Sequence, residues 1–317
     1  MRVAVLKGGR SLERQVSLRS AGRVQDALER LGHEVAALEV DSELVSRLTE
    51  SPPDVAFIAV HGRDGEDGTL QELLEVMGIP YTGSGVSACM RAADKVLAKH
   101  AMRDAGIATP DFYSFSETAF QALGAARALP AIEDRLQFPI VVKPASQGSA
   151  LGIKFARTAD EVPQALIAAF SYDRKVLLER YVAGRDLAVS VIEEGSGQAR
   201  ALPIVEAVPQ QEDFYDFESR YEIGRTRFLC PAELDSPTAG QASALALAVY
   251  GVLGCRGFAR VDLMLEAETG ELYVLEVDTV PGLTETSLLP QAADAADISF
   301  DDLIARILGA ARTLSSA

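Results

Sequence analysis

The chain opens with RVAVLKGGRSLERQVS (Arg2 to Ser17), a short apolar strand, a glycine-bearing turn and the first residues of a helical pattern. That pattern runs from Val16 to Leu31 and stops at Gly32, after which EVAALEV (Glu34 to Val40) and DVAFIAV (Asp54 to Val60) read as strands. Strand, helix and strand in alternation is the grammar of a parallel sheet with helical crossovers, so the fold class is α/β. In such sheets ligand chemistry sits in loops beyond the carboxyl ends of the strands. Two loops occupy those places, Lys7 to Arg14 and His61 to Gly68, the second leading into a helical LQELLEVM stopped by Gly78.

A second unit begins near Asp94, where DKVLAKHAMRDAG predicts a helix. The strand FPIVVKP (Phe138 to Pro144), the small-residue loop Ala145 to Ala150 and LGIKFA together predict a hairpin, and KVLLERYV (Lys175 to Val182) a further strand. Gly184 reads as a hinge. Beyond it come the strand DLAVSVI, a polar and aromatic segment from Gln210 to Arg227, a helix from Ser236 to Leu253, and two strand-like runs, GFARVDLML and ELYVLEVDTVPG. An amphipathic helix from Phe300 to Leu314 ends the chain. The expected units are 1–93, 94–183 and 184–317.

Composition narrows the partners. The 317 residues carry 30 Lys+Arg against 46 Asp+Glu, a net charge of −16, which argues against a nucleic-acid or anionic-membrane surface. No apolar run approaches the roughly 20 residues needed to span a bilayer, and the first residues read as a strand, so a cytoplasmic location is expected. Cys89, Cys230 and Cys255 are dispersed and odd in number, and three His without an H-x-x-H spacing disfavour zinc; the cysteines read as core packing.

The most informative chemistry lies on the late strands. Asp262, Glu276 and Asp278 interrupt runs of Val, Leu and Met, and Glu276 and Asp278, two apart, share one face. Three converging carboxylates with no His or Cys beside them suit Mg²⁺ or Mn²⁺; alternatively Asp262 faces solvent and Glu276 pairs with Arg260. The loop Gln147 to Ala150 after Lys143 offers backbone N–H groups and a hydroxyl for phosphate, or is simply a turn. Lys95 and Lys143 are either phosphate contacts or solvated charges. Glu179 ends a strand where it meets an adenine amino group or water. His61 is either a site residue or a partner for nearby backbone, and Glu13 and Ser17 are either site residues or a loop charge and a helix cap. Tyr215, Phe217 and Tyr221 form a lid or anchor a loop.

Taken in order, nine segments resemble the D-alanine:D-alanine ligases of the ATP-grasp superfamily over nearly the whole chain. They are Gly8 to Ser17; His61-Gly62 through Glu66-Asp67-Gly68 with Gln71; Gly78 to Gly85; Asp94-Lys95; Lys143-Pro144 with Gly148-Ser149; Phe214-Tyr215-Asp216 with Tyr221; Cys230-Pro231-Ala232; Arg260-Val261-Asp262; and Glu276 through Gly282. The resemblance implies an ATP-grasp fold of three α/β domains, the first Rossmann-like, with ATP between the second and third. It implies ATP as substrate, two Mg²⁺ or Mn²⁺ ions on Asp262, Glu276 and Asp278, and a homodimer. It places Lys95 and Lys143 on phosphates, Glu179 on adenine and Asp186 on ribose, with Arg220 also among the ATP contacts. Glu13 takes the ammonium of the first D-alanine with His61 nearby, Arg260 and the Gly282 N–H form an oxyanion site, and Ser287 and Leu288 receive the second D-alanine. Ser149 and Tyr221 join Glu13 as a lid, Ser146 to Leu151 with Gln210 to Arg227, closes.

The implied reaction makes D-alanyl-D-alanine for peptidoglycan through a D-alanyl phosphate. Four positions depart from the family pattern: Asp278 stands where Asn is usual, Ala150 for Ser, Arg220 for Lys and Asp186 for Glu. A ligase with another second substrate, or an ATP-grasp protein without ligation, are the competing readings; Tyr221 favours the dipeptide over an ester product.

Overall fold

The computed structural model describes residues 1–194, 197–209 and 226–311. In the first part, β1 (Arg2–Lys7) lies between β2 (Glu34–Glu39) and β3 (Val55–Ile58) in a parallel sheet. Helix α1 (Arg14–Arg30) supplies the first crossover, and α2 (Leu44–Glu50) and α3 (Thr69–Met77) follow β2 and β3. A central parallel strand is covered on both faces, which is why Val3 to Leu6 are uninterrupted apolar residues and all buried.

The first helix starts two residues earlier than its apolar pattern indicates, placing Ser17 inside it. There the Ser17 hydroxyl donates to Ala59 O at 2.6 Å and accepts from the Gly8 N–H at 2.9 Å, joining the two ligand-side loops instead of capping a helix.

Next come α4 (Val86–Ala93) and α5 (Lys95–Asp104), separated by Asp94, whose carboxylate accepts from the N–H groups of Val96 and Leu97 at 2.9 and 3.2 Å. That cap stops one helix and starts the other. Strands β4 (Phe112–Ser116), β5 (Ile140–Pro144), β6 (Lys154–Ala156) and β7 (Lys175–Arg180) form an antiparallel sheet in the order β4-β7-β5-β6. Helices α6 (Glu117–Ala122), α7 (Leu129–Leu136) and α8 (Val162–Phe170) accompany it, burying Ile132, Leu136 and Leu166 against Ile140 and Leu178.

The largest sheet contains β8 (Gly184–Glu194), β9 (Gln198–Ala201), β10 (Val205–Pro209), β11 (Thr226–Leu229), β12 (Phe258–Glu266) and β13 (Leu272–Asp278), in the order β11-β10-β8-β12-β13 with β9 beside β8. Gly184, expected as a hinge, is the first residue of β8, and a Cβ there would stand 1.9 Å from Leu265 O. Glycine is what lets β12 approach. Helix α9 (Ser236–Leu253) packs on this sheet together with Ala98 and Met102 of α5.

The last helices, α10 (Leu288–Asp294) and α11 (Phe300–Gly309), return to the first unit. Leu289, Leu303, Ile304 and Ile307 share a core with Val24 and Leu28, and Arg30 holds Asp301 through two bonds of 2.9 and 2.6 Å. The apolar pattern extends the last helix to Leu314, but it ends at Gly309; residues 312–317 lie outside the described residues. Among the described residues, no helix is long and apolar enough to cross a membrane.

Candidate active site

Loops from the three sheets meet around a cavity of about 470 Å³. Glu13, at the start of α1, is 6% exposed. Its Oε1 accepts from the Ser149 hydroxyl, whereas Oε2 is buried with no hydrogen-bond partner among the described residues. Burial pushes this carboxyl above its ordinary range, with the Ser149 hydrogen bond acting against the shift. Ser149 reaches Glu13 from a loop in which it and Ala150 adopt φ of 54° and 56°, a left-handed conformation that costs a non-glycine residue about 1 kcal/mol or more.

On the opposite wall, β12 and β13 pair antiparallel with Arg260 against Asp278 and Asp262 against Glu276, placing all four side chains on one face. Arg260 binds Asp262 through two bonds of 2.6 and 2.9 Å and Asp278 through one of 3.1 Å. Burial opposes the guanidinium charge, yet Asp262 and Asp278 outweigh it and raise the group above its usual range. Asp262 is buried, so it does not face solvent, and Glu276 pairs with Lys95 at 3.1 Å instead of with Arg260. Lys95 also donates to Gln147 O at 2.9 Å, tying the loop that carries Ser149 to this wall. Basic groups hold these carboxylates, and among the described residues no three His, Cys, Asp or Glu are grouped so as to hold a metal ion.

His61 lines the cavity but both ring nitrogens are committed, Nδ1 to Val280 O at 2.8 Å and Nε2 to Ser20 Oγ at 2.9 Å. Gly282, Ser287 and Leu288 complete that side, and the Ser287 hydroxyl accepts from the Thr284 N–H at 3.0 Å.

Lys143, Glu179 and Asp186 lie outside the cavity lining. Lys143 and Glu179 form a separate buried knot: Lys143 Nζ donates to Glu179 Oε1 at 2.6 Å, and Lys99 pairs with Oε2 while donating to the Thr109 hydroxyl. Asp186 is half-buried on β8, opposite Ala207 and Met264. Arg220 and Tyr221, with Tyr215, Phe217 and most of the expected second lid segment, fall outside the described residues. Cys89 and Cys255 are buried, and burial pushes their thiols up to about 12 and about 11, in keeping with packing roles.

Three contributors have no role in the sequence reading, Glu66 standing there only as part of a motif. Glu66, half-buried, accepts from the Gly62 N–H at 2.7 Å, and burial together with Asp278 and Glu13 pushes its carboxyl well up. Ser20 and Lys99 are fully buried polar residues on the inward faces of α1 and α5. Their helical spacing from Glu13 and Lys95, seven and four residues, was the available signal.

The chain matches the D-ala D-ala ligase C-terminus model over residues 101–309 and the D-ala D-ala ligase N-terminus model over residues 46–84. This chain belongs to the D-alanine–D-alanine ligase family. It is 44% identical to the D-alanine–D-alanine ligase of Syntrophotalea carbinolica over 98% of this chain and 96% of that one. The corresponding ligase of Carboxydothermus hydrogenoformans is 39% identical over 97% of each chain. A crystal structure of the Bacillus anthracis D-alanine–D-alanine ligase complexed with ATP superimposes with a TM-score of 0.81 at 32% identity, covering 98% of this chain and 97% of that one. As a member of the ligase family the chain has the ATP-grasp fold that its sequence implies.

Proposed function

We propose that this chain joins two D-alanines into D-alanyl-D-alanine, a peptidoglycan precursor, spending ATP through a D-alanyl phosphate. The observation that carries the reading is Glu13: a buried carboxylate with one oxygen unmatched, set in a cavity whose far wall holds Arg260 and Gly282. A cation of amino-acid size satisfies that oxygen, and its carboxylate then extends toward the guanidinium.

Lys95 and Lys143 take phosphate charge with Arg220, Glu179 takes the adenine edge and Asp186 the ribose. Phosphorylation turns the first carboxylate into an acyl donor. The amine of the second D-alanine, held at Ser287 and Leu288, attacks the carbonyl, while Arg260 and the Gly282 N–H stabilise the tetrahedral oxyanion before phosphate leaves. Tyr221 joins Ser149 and Glu13 over the site, and the two loops exclude water from the acyl phosphate.

Asp262, Glu276 and Asp278 are hard oxygen donors, and Mg²⁺ is commonly held by one or two carboxylates together with substrate phosphates. With substrate phosphates supplying the remaining oxygens, these residues would hold two Mg²⁺ or Mn²⁺ ions, which would neutralise charge on the transferring phosphoryl group. The units 1–93, 94–183 and 184–317 serve as the first-substrate domain and the two halves of the ATP-grasp, in a cytoplasmic homodimer.

The test is a coupled ADP assay over D- and L-amino acids and D-lactate, with product mass analysis. D-alanine-dependent ADP release with D-alanyl-D-alanine as product is expected. Nucleotide binding without D-alanine-dependent turnover, or an ester as the main product, would overturn the reading.

A further inference from the structure

Among the described residues the Gly282 N–H has no hydrogen-bond partner, and a Cβ on Gly282 would stand 2.6 Å from Ser287 Oγ. An amide left free for a ligand must be aimed by its neighbours. Those neighbours are held from the first sheet's side of the cavity. Val280 O accepts from His61 Nδ1 at 2.8 Å, which in the neutral ring puts the proton on Nδ1 and leaves Nε2 as an acceptor. Nε2 then receives the Ser20 hydroxyl proton at 2.9 Å, which frees the Ser20 oxygen to accept from the Leu283 N–H at 3.1 Å. The result is one continuous relay from Leu283 N–H through Ser20 and His61 to Val280 O, closing around Pro281 and Gly282. Arg23, three residues beyond Ser20, donates to Leu283 O at 2.7 Å while its guanidinium lies 3.9 Å over the Phe300 ring.

We propose that Ser20 is a positioning residue for the ligation step: with His61 it clasps the Val280–Leu283 loop and fixes the direction of the Gly282 N–H, and Arg23 is the second brace. The inference rests on the reading of Gly282 as an oxyanion donor. Ser20 touches no substrate. Its effect belongs to the tetrahedral step, because the oxyanion does not exist while the acyl phosphate is being made. Losing an oxyanion donor outright costs about 10²–10³ in rate, so loosening one costs less.

The experiment measures ADP and dipeptide in the same reactions for the native chain, Ser20→Ala and Arg23→Met, together with the KM for ATP, thermal melting, and affinity for a phosphinate dipeptide mimic in the presence of ATP. In Ser20→Ala, dipeptide formation is expected to fall roughly 10- to 50-fold, with ADP formation falling less as water consumes stranded acyl phosphate. The ADP-to-dipeptide ratio therefore rises above that of the native chain, phosphinate affinity drops, and the KM for ATP stays put. Arg23→Met moves both quantities the same way by a smaller factor, and it decides the matter if Ser20→Ala does not fold. A native ratio and native phosphinate affinity in the folded variants would overturn the clasp, as would parallel loss of ADP and dipeptide. If the native chain itself binds the phosphinate no more tightly than D-alanyl-D-alanine, the oxyanion reading fails instead.

Discussion

Glu13 and Glu179 are both buried carboxylates, 6% and 2% exposed, but they keep opposite company. Glu179 has an ammonium on each oxygen; burial works against its charge, yet Lys143 and Lys99 outweigh that and hold it below the ordinary range. Glu13 has a neutral hydroxyl on one oxygen and nothing among the described residues on the other, and its carboxyl is pushed up. A carboxylate matched on both sides is already balanced as a charge, whereas one left short of a cation can take that cation from a substrate. The difference lies in the neighbours, since residue type and burial are shared.

The sharpest way to break that contrast is Glu13→Gln. Removing a charge that pairs with a buried ligand ammonium costs about 3–4 kcal/mol, so kcat/KM for D-alanine should fall about 10²–10³-fold. Melting temperature should hold or rise, because the variant relieves an uncompensated buried charge. Steady-state kinetics beside a thermal melt check both. A destabilised variant with near-native kcat/KM would make Glu13 the structural residue.

For the knot, Lys99→Met is expected to destabilise the fold by about 3 kcal/mol, measured by denaturant unfolding, because it strips a partner from a buried carboxylate. The pH dependence adds a signed test. Burial lowers the Lys99 ammonium to about 8 against 10.5 for the free side chain. Between those values the unfolded chain binds more protons, so the native chain gains stability as pH rises from about 8 to 10.5 and loses that increment as pH falls through about 8. Lys99→Met should flatten the slope across that window, and an unchanged slope would show that Lys99 titrates normally.

The sequence separates these two regions unevenly. Glu276 and Asp278 were legible because a period of two puts them on one strand face, and Arg260 and Asp262 sit opposite in the observed register. The acidic strands offer Arg260 as a partner for Glu276, but not that Lys95 takes Glu276 while Arg260 holds Asp262 and Asp278, since cross-strand partners depend on register and helix placement. Lys99 and Ser20 are not legible in the sequence because a lone Lys or Ser in a helix ordinarily faces water, and only the packing of α5 and α1 buries them. Gly184 reads as a hinge because glycine has two uses, flexibility and close approach, and the 1.9 Å that would separate a Cβ there from Leu265 O adds the second use, which the sequence does not show. Linear order likewise hid the return of α10 and α11 to the core of α1, a contact between residues nearly 300 positions apart.

The smallest expected effect discriminates best between Glu13 and its neighbour Glu66, whose carboxyl is also pushed up. Only the ionised form of Glu13 holds an ammonium, so kcat/KM for D-alanine should fall on the acid side as the free enzyme's Glu13 protonates. Burial raises that midpoint; the Ser149 hydrogen bond lowers it and the Asp278 charge raises it. Ser149→Ala should therefore move the acid limb to higher pH, and Asp278→Asn should move it to lower pH. Both carboxyls feel Asp278, but only Glu13 receives the Ser149 hydroxyl. Opposite displacements in a pH profile of kcat/KM identify Glu13 as the titrating group. A limb that responds to Asp278→Asn and ignores Ser149→Ala would pass the role to Glu66, and the unmatched oxygen of Glu13 would then have no part in binding the first substrate.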